Sequence, residues 1–242
     1  MSDSIAHYID HAVLHPTQTE EDVQAACRLG AELEVASLCV KPYLVPLTAD
    51  LLSGTAVKVS TVVSFPHGAC TTAQKVAETH DACRAGAVEL DMVVNLGKVF
   101  AGQWDYVRDE IAAVVAAADQ HGAIVKVILE TGLLADDRQK VELCRCCETA
   151  GAAFVKTSTG FAYLQQPDGT VVATGATLED VALMRASCSA KVAIKASGGI
   201  RTLQAARQFI QRGATRLGTS STKALVEQER GILSATADLG ND

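Results

Sequence analysis

The chain has 242 residues, 48% hydrophobic and 20% charged, with only 4% aromatic and a net charge of −7. That much apolar material builds a large core and excludes disorder, while an acidic balance with few rings argues against a nucleic-acid surface. The start lacks the basic and apolar segments of a signal peptide, and runs such as Ile111 to Ala118 fall far short of the roughly 20 residues that span a bilayer.

In chain order, apolar strands are predicted at Tyr8–Leu14, Ala36–Val40, Val57–Phe65, Val88–Asn95, Ile124–Glu130, Ala153–Ser158, Val192–Ser197 and Ala214–Gly218. Helical periodicity fills the gaps between them. Thr19, Thr71 and Thr177 open helices with capping signals, and Gly30, Gly86, Gly122, Gly151 and Gly213 stand where left-handed helix ends favour glycine. The stretch Ala162–Ala176 reads as a surface excursion or a hairpin. Repeated strand–helix units, with strands too apolar to face water, predict an α/β fold: a single-domain (β/α)8 TIM barrel over residues 1–242. The rival, an open doubly wound sheet, normally shows G-x-G-x-x-G after an early strand, and none follows the first three.

Lysines interrupt four of these strands, at Lys58, Lys126, Lys156 and Lys195. Lysine is seldom buried without a partner or a task. Lys58 opens its strand and reads as a charge on the bottom face, whereas Lys126 lies mid-strand. Lys156 and Lys195 lie near the C-terminal strand ends, where barrel enzymes carry their chemistry. A single strand lysine is commonly snorkelling or ion-paired, but two at one height on neighbouring strands point to function. Repulsion and desolvation make one of them easier to deprotonate, and a neutral amine condenses with carbonyls to a Schiff base. Asp91, inside a third apolar strand, is either the acid/base partner or a structural salt bridge to a lysine.

Two glycine-bearing turns, Ser197-Gly198-Gly199-Ile200-Arg201-Thr202 and Gly218-Thr219-Ser220-Ser221-Thr222, follow the seventh and eighth strands and open helices. Barrels frequently hold phosphate between these loops on backbone N–H groups. The eight cysteines show no C-x2-C pair and read as buried small hydrophobes in a reducing, cytoplasmic setting. His7, His11 and His15 are four apart, but a strand there removes any helical metal face, and no metal site is expected. His67 reads as a loop-shaping residue, and Trp104 with Tyr106 as helix packing.

The runs Phe154-Val155-Lys156-Thr157-Ser158-Thr159-Gly160-Phe161 and Ile194-Lys195-Ala196-Ser197-Gly198-Gly199-Ile200-Arg201 resemble the deoxyribose-phosphate aldolase family. Matches at Ile9-Asp10-His11, Ser37-Leu38-Cys39-Val40, Ser64-Phe65-Pro66-His67-Gly68, Glu89-Leu90-Asp91, Lys126-Val127-Ile128-Leu129-Glu130-Thr131 and Gly218-Thr219-Ser220-Ser221 extend the likeness along the chain. The resemblance implies a class I aldolase that cleaves 2-deoxy-D-ribose 5-phosphate reversibly to D-glyceraldehyde 3-phosphate and acetaldehyde. It makes Lys156 the Schiff-base lysine, Lys195 the neighbour that lowers its pKa, and Asp91 the proton carrier acting with water. Substrate contacts implied in the same way are Cys39, Lys126, Thr159, Gly160, Gly198, Gly199, Arg201, Gly218, Ser220 and Ser221. No cofactor and no metal are implied. The expected partners are the phosphorylated sugar and acetaldehyde, with a homo-oligomer admitted and neither nucleic acid nor membrane.

The chain departs from the family pattern at Phe161, where many members have lysine, and at Ala12, where threonine is common. It also has a longer loop around Gln165–Gly169 and, in Leu239–Asp242, no C-terminal tyrosine. Two other classes stay open from the residues alone. One is a phosphate-binding isomerase or synthase with no covalent lysine. The other is a non-catalytic barrel used as a binding or regulatory subunit.

Overall fold

The protein, described here as a computed structural model, is resolved into elements over residues 4–233. In chain order these are β1 (Ile9–Val13), α1 (Glu20–Leu33), β2 (Ser37–Val40), α2 (Val45–Leu51), β3 (Lys58–Val63), α3 (Thr72–Arg84), β4 (Glu89–Val93), α4 (Leu96–Phe100) and α5 (Trp104–Asp119). Then come β5 (Ile124–Ile128), α6 (Asp137–Thr149), β6 (Phe154–Lys156), β7 (Tyr163–Gln165), β8 (Val171–Ala173), α7 (Leu178–Ser187), β9 (Ala193–Ser197), α8 (Leu203–Gln211), β10 (Arg216–Thr219) and α9 (Thr222–Glu229).

The strands other than β7 and β8 close into a parallel barrel in the order β1-β10-β9-β6-β5-β4-β3-β2. Each expected barrel strand is present. Most are shorter than their apolar runs, because the chain leaves the ladder before the run ends. Residues 64–65, 94–95, 129–130 and 157–158 thereby become the rim of the barrel. No helix among the described residues is long and apolar enough to cross a membrane.

Local chemistry explains the helix starts. Thr71 Oγ1 accepts from Gln74 N–H while Gln74 Oε1 accepts from Thr71 N–H, at 3.3 and 2.9 Å. Asp22 accepts from Thr19 N–H at 2.7 Å, and Thr177 Oγ1 accepts from Asp180 N–H at 3.0 Å. Each satisfies backbone donors that a helix start leaves open. Gly86, Gly122, Gly151 and Gly213 adopt the positive φ expected of helix ends. Gly30 does not. It lies inside α1, where an added Cβ would sit 2.9 Å from Leu38, and Glu34 takes the left-handed cap instead with φ 54°. The glycine there serves close helix–strand packing.

The excursion after β6 is a hairpin. Its strands β7 and β8 pair antiparallel, with Tyr163 opposite Ala173, and Tyr163, Leu164, Val171 and Val172 stay exposed. The cysteine expectation holds in part. Cys27, Cys39, Cys144, Cys146 and Cys147 are buried, but Cys70, Cys83 and Cys188 are half-buried. The tail Leu239–Asp242 lies outside the described residues.

Candidate active site

Pleating turns alternate residues into the barrel. Asp10, Glu89, Asp91, Lys126, Lys156, Lys195 and Arg216 all fall on the inward parity, so the interior is ionic where barrels usually pack branched aliphatics. Lys156 and Lys195 are direct neighbours across β6 and β9. Their ammonium groups meet on one carboxylate oxygen: Asp91 Oδ2 lies 2.7 Å from Lys156 Nζ and 2.6 Å from Lys195 Nζ. Asp91 Oδ1 accepts from Lys126 at 2.9 Å.

One layer lower, Lys126 also pairs with Glu89 at 2.7 Å and Asp10 at 3.1 Å, and donates to Ser60 Oγ at 3.2 Å. Lys195 also reaches Asp10. Arg216 bridges Asp10 and Glu89 while its guanidinium lies 5.3 Å from the Phe154 ring. Lys126 was expected among the substrate contacts. The structure places it fully buried with its ammonium taken up by three carboxylates, below the mouth rather than in it.

Counting charges identifies the odd group. Four bases, Lys126, Lys156, Lys195 and Arg216, face three carboxylates, Asp10, Glu89 and Asp91. A buried cluster with one uncompensated charge is costly, and losing one proton removes that cost. Lys126 touches three carboxylates and Lys195 two, but Lys156 touches Asp91 alone. Burial, then the charge of Lys195, therefore push Lys156 below the usual lysine range, with Asp91 opposing. Burial penalises Lys126 and Lys195 too, but their carboxylates outweigh it and hold both above that range. For Asp91, burial is outweighed by the three lysines and the carboxyl is held well below its ordinary value. Cys39 is buried beside this group, and burial pushes its thiol up.

The rim is tied together by the motif residues themselves. Thr157 Oγ1 donates to Ser197 O and accepts from Ser197 N–H, both at 3.0 Å, locking β6 to β9. Glu130, with φ 54°, receives Thr159 N–H on both carboxylate oxygens at 3.2 Å. Thr159 Oγ1 in turn accepts from Phe161 N–H at 3.0 Å. Thr159 therefore shapes the loop that follows Lys156. Phe161 packs its ring edge-on against Phe65, with centroids 5.4 Å apart, rather than offering a cation. Ser158 Oγ is buried with no hydrogen-bond partner among the described residues.

The two glycine turns meet on the same rim. Thr219 donates to Ile200 O at 2.7 Å, fixing one turn to the other. Gly198 and Gly199 have φ of 95° and 80°, and a Cβ on Gly218 would strike Ser197 at 2.7 Å and the Lys195 stem at 3.2 Å. Ser221 makes no side-chain cap at the start of α9, leaving that helix end open, whereas Thr202 caps α8. Gly160, Gly199, Arg201 and Ser220 are exposed on this face. Sequence reasoning missed Asp10, Glu89 and Arg216 as members of the cluster, and Ser158 as an unsatisfied hydroxyl beside Lys156.

A closed barrel that holds a buried lysine below its ordinary range, against a carboxylate, fits a Schiff-base-forming type of enzyme. The sequence matches the DeoC/LacD family of aldolases over residues 4–232, and the chain belongs to that family. The deoxyribose-phosphate aldolase of Caldanaerobacter subterraneus subsp. tengcongensis is 44% identical over 226 residues, covering 93% of each chain. That of Brevibacillus brevis is 45% identical over 219 residues, covering 90% of this chain and 93% of its own. Among solved structures, the tetrameric deoxyribose phosphate aldolase of Aeropyrum pernix superposes with a TM-score of 0.84 at 31% identity, covering 95% of this chain and 92% of its own.

Proposed function

We propose that the chain cleaves 2-deoxy-D-ribose 5-phosphate reversibly to D-glyceraldehyde 3-phosphate and acetaldehyde, through an imine on Lys156. The observation that carries this is the shared contact of Lys156 and Lys195 on Asp91 Oδ2, in a cluster one carboxylate short. The neutral Lys156 amine adds to the open-chain aldehyde, the carbinolamine oxygen takes up a proton from solvent and leaves as water, and an iminium results. Breaking the bond between carbons 2 and 3 sends its electron pair into the iminium, which becomes a neutral enamine. The carbon 3 hydroxyl loses its proton and departs as the aldehyde of glyceraldehyde 3-phosphate. Protonation of the enamine and hydrolysis then release acetaldehyde and restore the lysine.

In this scheme Asp91 carries the proton transfers, a reading supported by its contact with Lys156. While the iminium and the ammonium groups of Lys126 and Lys195 face it, it is a weak base. As the iminium charge collapses, one of those cations disappears and the carboxylate becomes more basic when a proton must be taken. Lys195 keeps the remaining charge in place, and Ser158 Oγ is available to a substrate hydroxyl or a water. The iminium is itself the electron sink, so this scheme uses no metal and no further cofactor. The phosphate belongs on the backbone N–H groups of Gly198, Gly199 and Gly218 and the hydroxyls of Ser220 and Ser221, with Arg201 and Gly160 beside them. Eight free thiols suit a reducing, cytoplasmic setting. The tetrameric relative supports a homo-oligomer here as well.

The test is incubation with acetaldehyde and borohydride, then peptide mass spectrometry, beside Lys156→Arg. Lys156 should carry the reduced two-carbon adduct, and the variant should lose several orders of magnitude in cleavage while staying folded. Cleavage within tenfold of the parent, or an unlabelled Lys156, rejects the covalent route. The first outcome then favours an acid/base isomerase-like site, and a wholly inactive parent a binding barrel.

A further inference from the structure

Arg216 does not touch Lys156, yet it belongs to the same cluster. Its guanidinium holds Glu89 Oε2 at 2.8 Å and Glu89 Oε1 at 3.4 Å, and also binds Asp10. From there two chains of contacts lead upward: Asp10 to Lys195 to Asp91, and Glu89 to Lys126 to Asp91. Asp91 is the carboxylate on Lys156. We propose that Arg216 and Glu89 are positioning residues that set the protonation of Lys156 through the charge count of the buried cluster. This rests on Lys156 being the imine-forming lysine.

The argument is electrostatic and does not depend on direct contact. Groups facing Lys156 come from every neighbouring strand: Asp91 and Glu89 on β4, Lys126 on β5 with Glu130 at its end, Lys195 on β9, Arg216 on β10, Asp10 on β1 and Cys39 on β2. His11 has the opposite parity on β1 and bonds Thr222 at 2.8 Å, away from the interior. Inside a medium of low dielectric, a unit of charge one layer away is felt far more than at the surface. Counted over the ion-paired groups, with Glu130 outside them on Thr159 N–H and shifted up by burial, the cluster with Arg216 present is neutral only when Lys156 has lost its proton. Remove Arg216, and three lysines balance three carboxylates with Lys156 protonated, which is inert as a nucleophile. Remove the Glu89 charge instead, and the cluster stays positive even with Lys156 neutral, so the proton leaves more readily still. The two substitutions thus push in opposite directions, which a merely structural role would not do.

The experiment follows borohydride trapping at Lys156 and kcat/KM for the deoxyribose phosphate across pH, in the full-length parent, Arg216→Met, Arg216→Lys and Glu89→Gln. Arg216→Met should move the acidic limb of both profiles to higher pH by about one unit or more, a loss of roughly tenfold at a fixed pH on that limb. Glu89→Gln should move it to lower pH, and Arg216→Lys, which keeps the charge but not the fork, should leave it near the parent's position. Limbs that coincide in all four proteins overturn the proposal, as does an Arg216→Lys limb displaced as far as that of Arg216→Met. If Arg216→Met fails to fold by circular dichroism, Glu89→Gln decides alone: an unmoved limb rejects the idea. A parent with no adduct on Lys156 would instead mean that the covalent reading itself is wrong.

Discussion

His11 is a buried imidazole whose Nδ1 lies 2.8 Å from Thr222 Oγ1, and burial pushes its pKa down to about 4. The unfolded chain, with an ordinary histidine near 6.5, therefore takes up the proton first. Its stabilising effect is fully present above about pH 6.5 and is lost as pH falls toward the folded value, at about 1.4 kcal/mol per unit. Glu110 and Glu130, both raised by burial, act with the opposite sign as pH falls. Comparing the parent with His11→Gln isolates the histidine. Denaturant unfolding at several pH values between 4 and 6.5 should show a shallower pH dependence in the variant, and an unchanged slope would show that His11 is not buried neutral. At this scale the site was half legible. Lys156, Lys195 and Asp91 stand out because each interrupts an apolar run. Arg216 and Glu89 stand at strand openings, where a charge reads as solvent-facing, and 127 residues separate them. Only barrel closure brings them together.

The hairpin β7–β8 is the element least tied to the rest of the fold. Its side chains are exposed on both faces, and its anchorage lies at its roots, where Thr174 N–H bonds Ala162 O at 2.9 Å and Ala176 N–H bonds Gly198 O at 3.1 Å. Replacing residues 163–173 by a short polar turn should change unfolding free energy by no more than about 1 kcal/mol, since loop length enters closure entropy only logarithmically. Urea melts check this; a loss of several kcal/mol would mean that the hairpin covers core. Elements of this kind divide by how much of their signal is packing. The barrel strands were readable because burial on both faces makes them continuous apolar runs. Their ends were not, because Ser64, Asn95, Glu130 and Thr157 leave the ladder to make tertiary bonds that no local pattern encodes. Gly30 misled for a related reason: a missing side chain looks the same whether it frees a φ angle or admits Leu38.

At the scale of the molecule, the barrel divides its burial between two unlike surfaces. The outward strand faces, with Ile9, Leu38, Leu90, Val127, Val155, Ile194 and Leu217, are wholly buried under the helices and supply the cohesion. The inward faces give up aliphatic packing for ion pairs, which are weak evidence for stability and suit a site that must hold a proton off one amine. The arrangement works because the rim is braced twice, by Thr157 with Ser197 and by Thr219 with Ile200. Fold class and the candidate lysines Lys156 and Lys195 were therefore accessible from pattern alone, whereas the ionic floor beneath them required the closed topology.

That topology has a consequence in time. Asp10 is contributed by the first strand and Arg216 by the last, and they meet across the β1–β10 seam, 206 residues apart. A chain still emerging during synthesis, or one refolding with the seam unzipped, holds Lys156 as an ordinary protonated amine. Its reactivity is then no greater than that of any surface lysine. Pairings of such sequence separation form slowly, because their closure entropy precedes the contacts that repay it. On the proposed role of Lys156, its reaction with stray aldehydes then waits until the barrel that governs it has closed. Pulses of acetaldehyde and borohydride during refolding should label Lys156 at the rate of surface lysines until the last kinetic phase, and only then faster. Selective labelling ahead of that phase would show that the nucleophile is armed before the barrel closes.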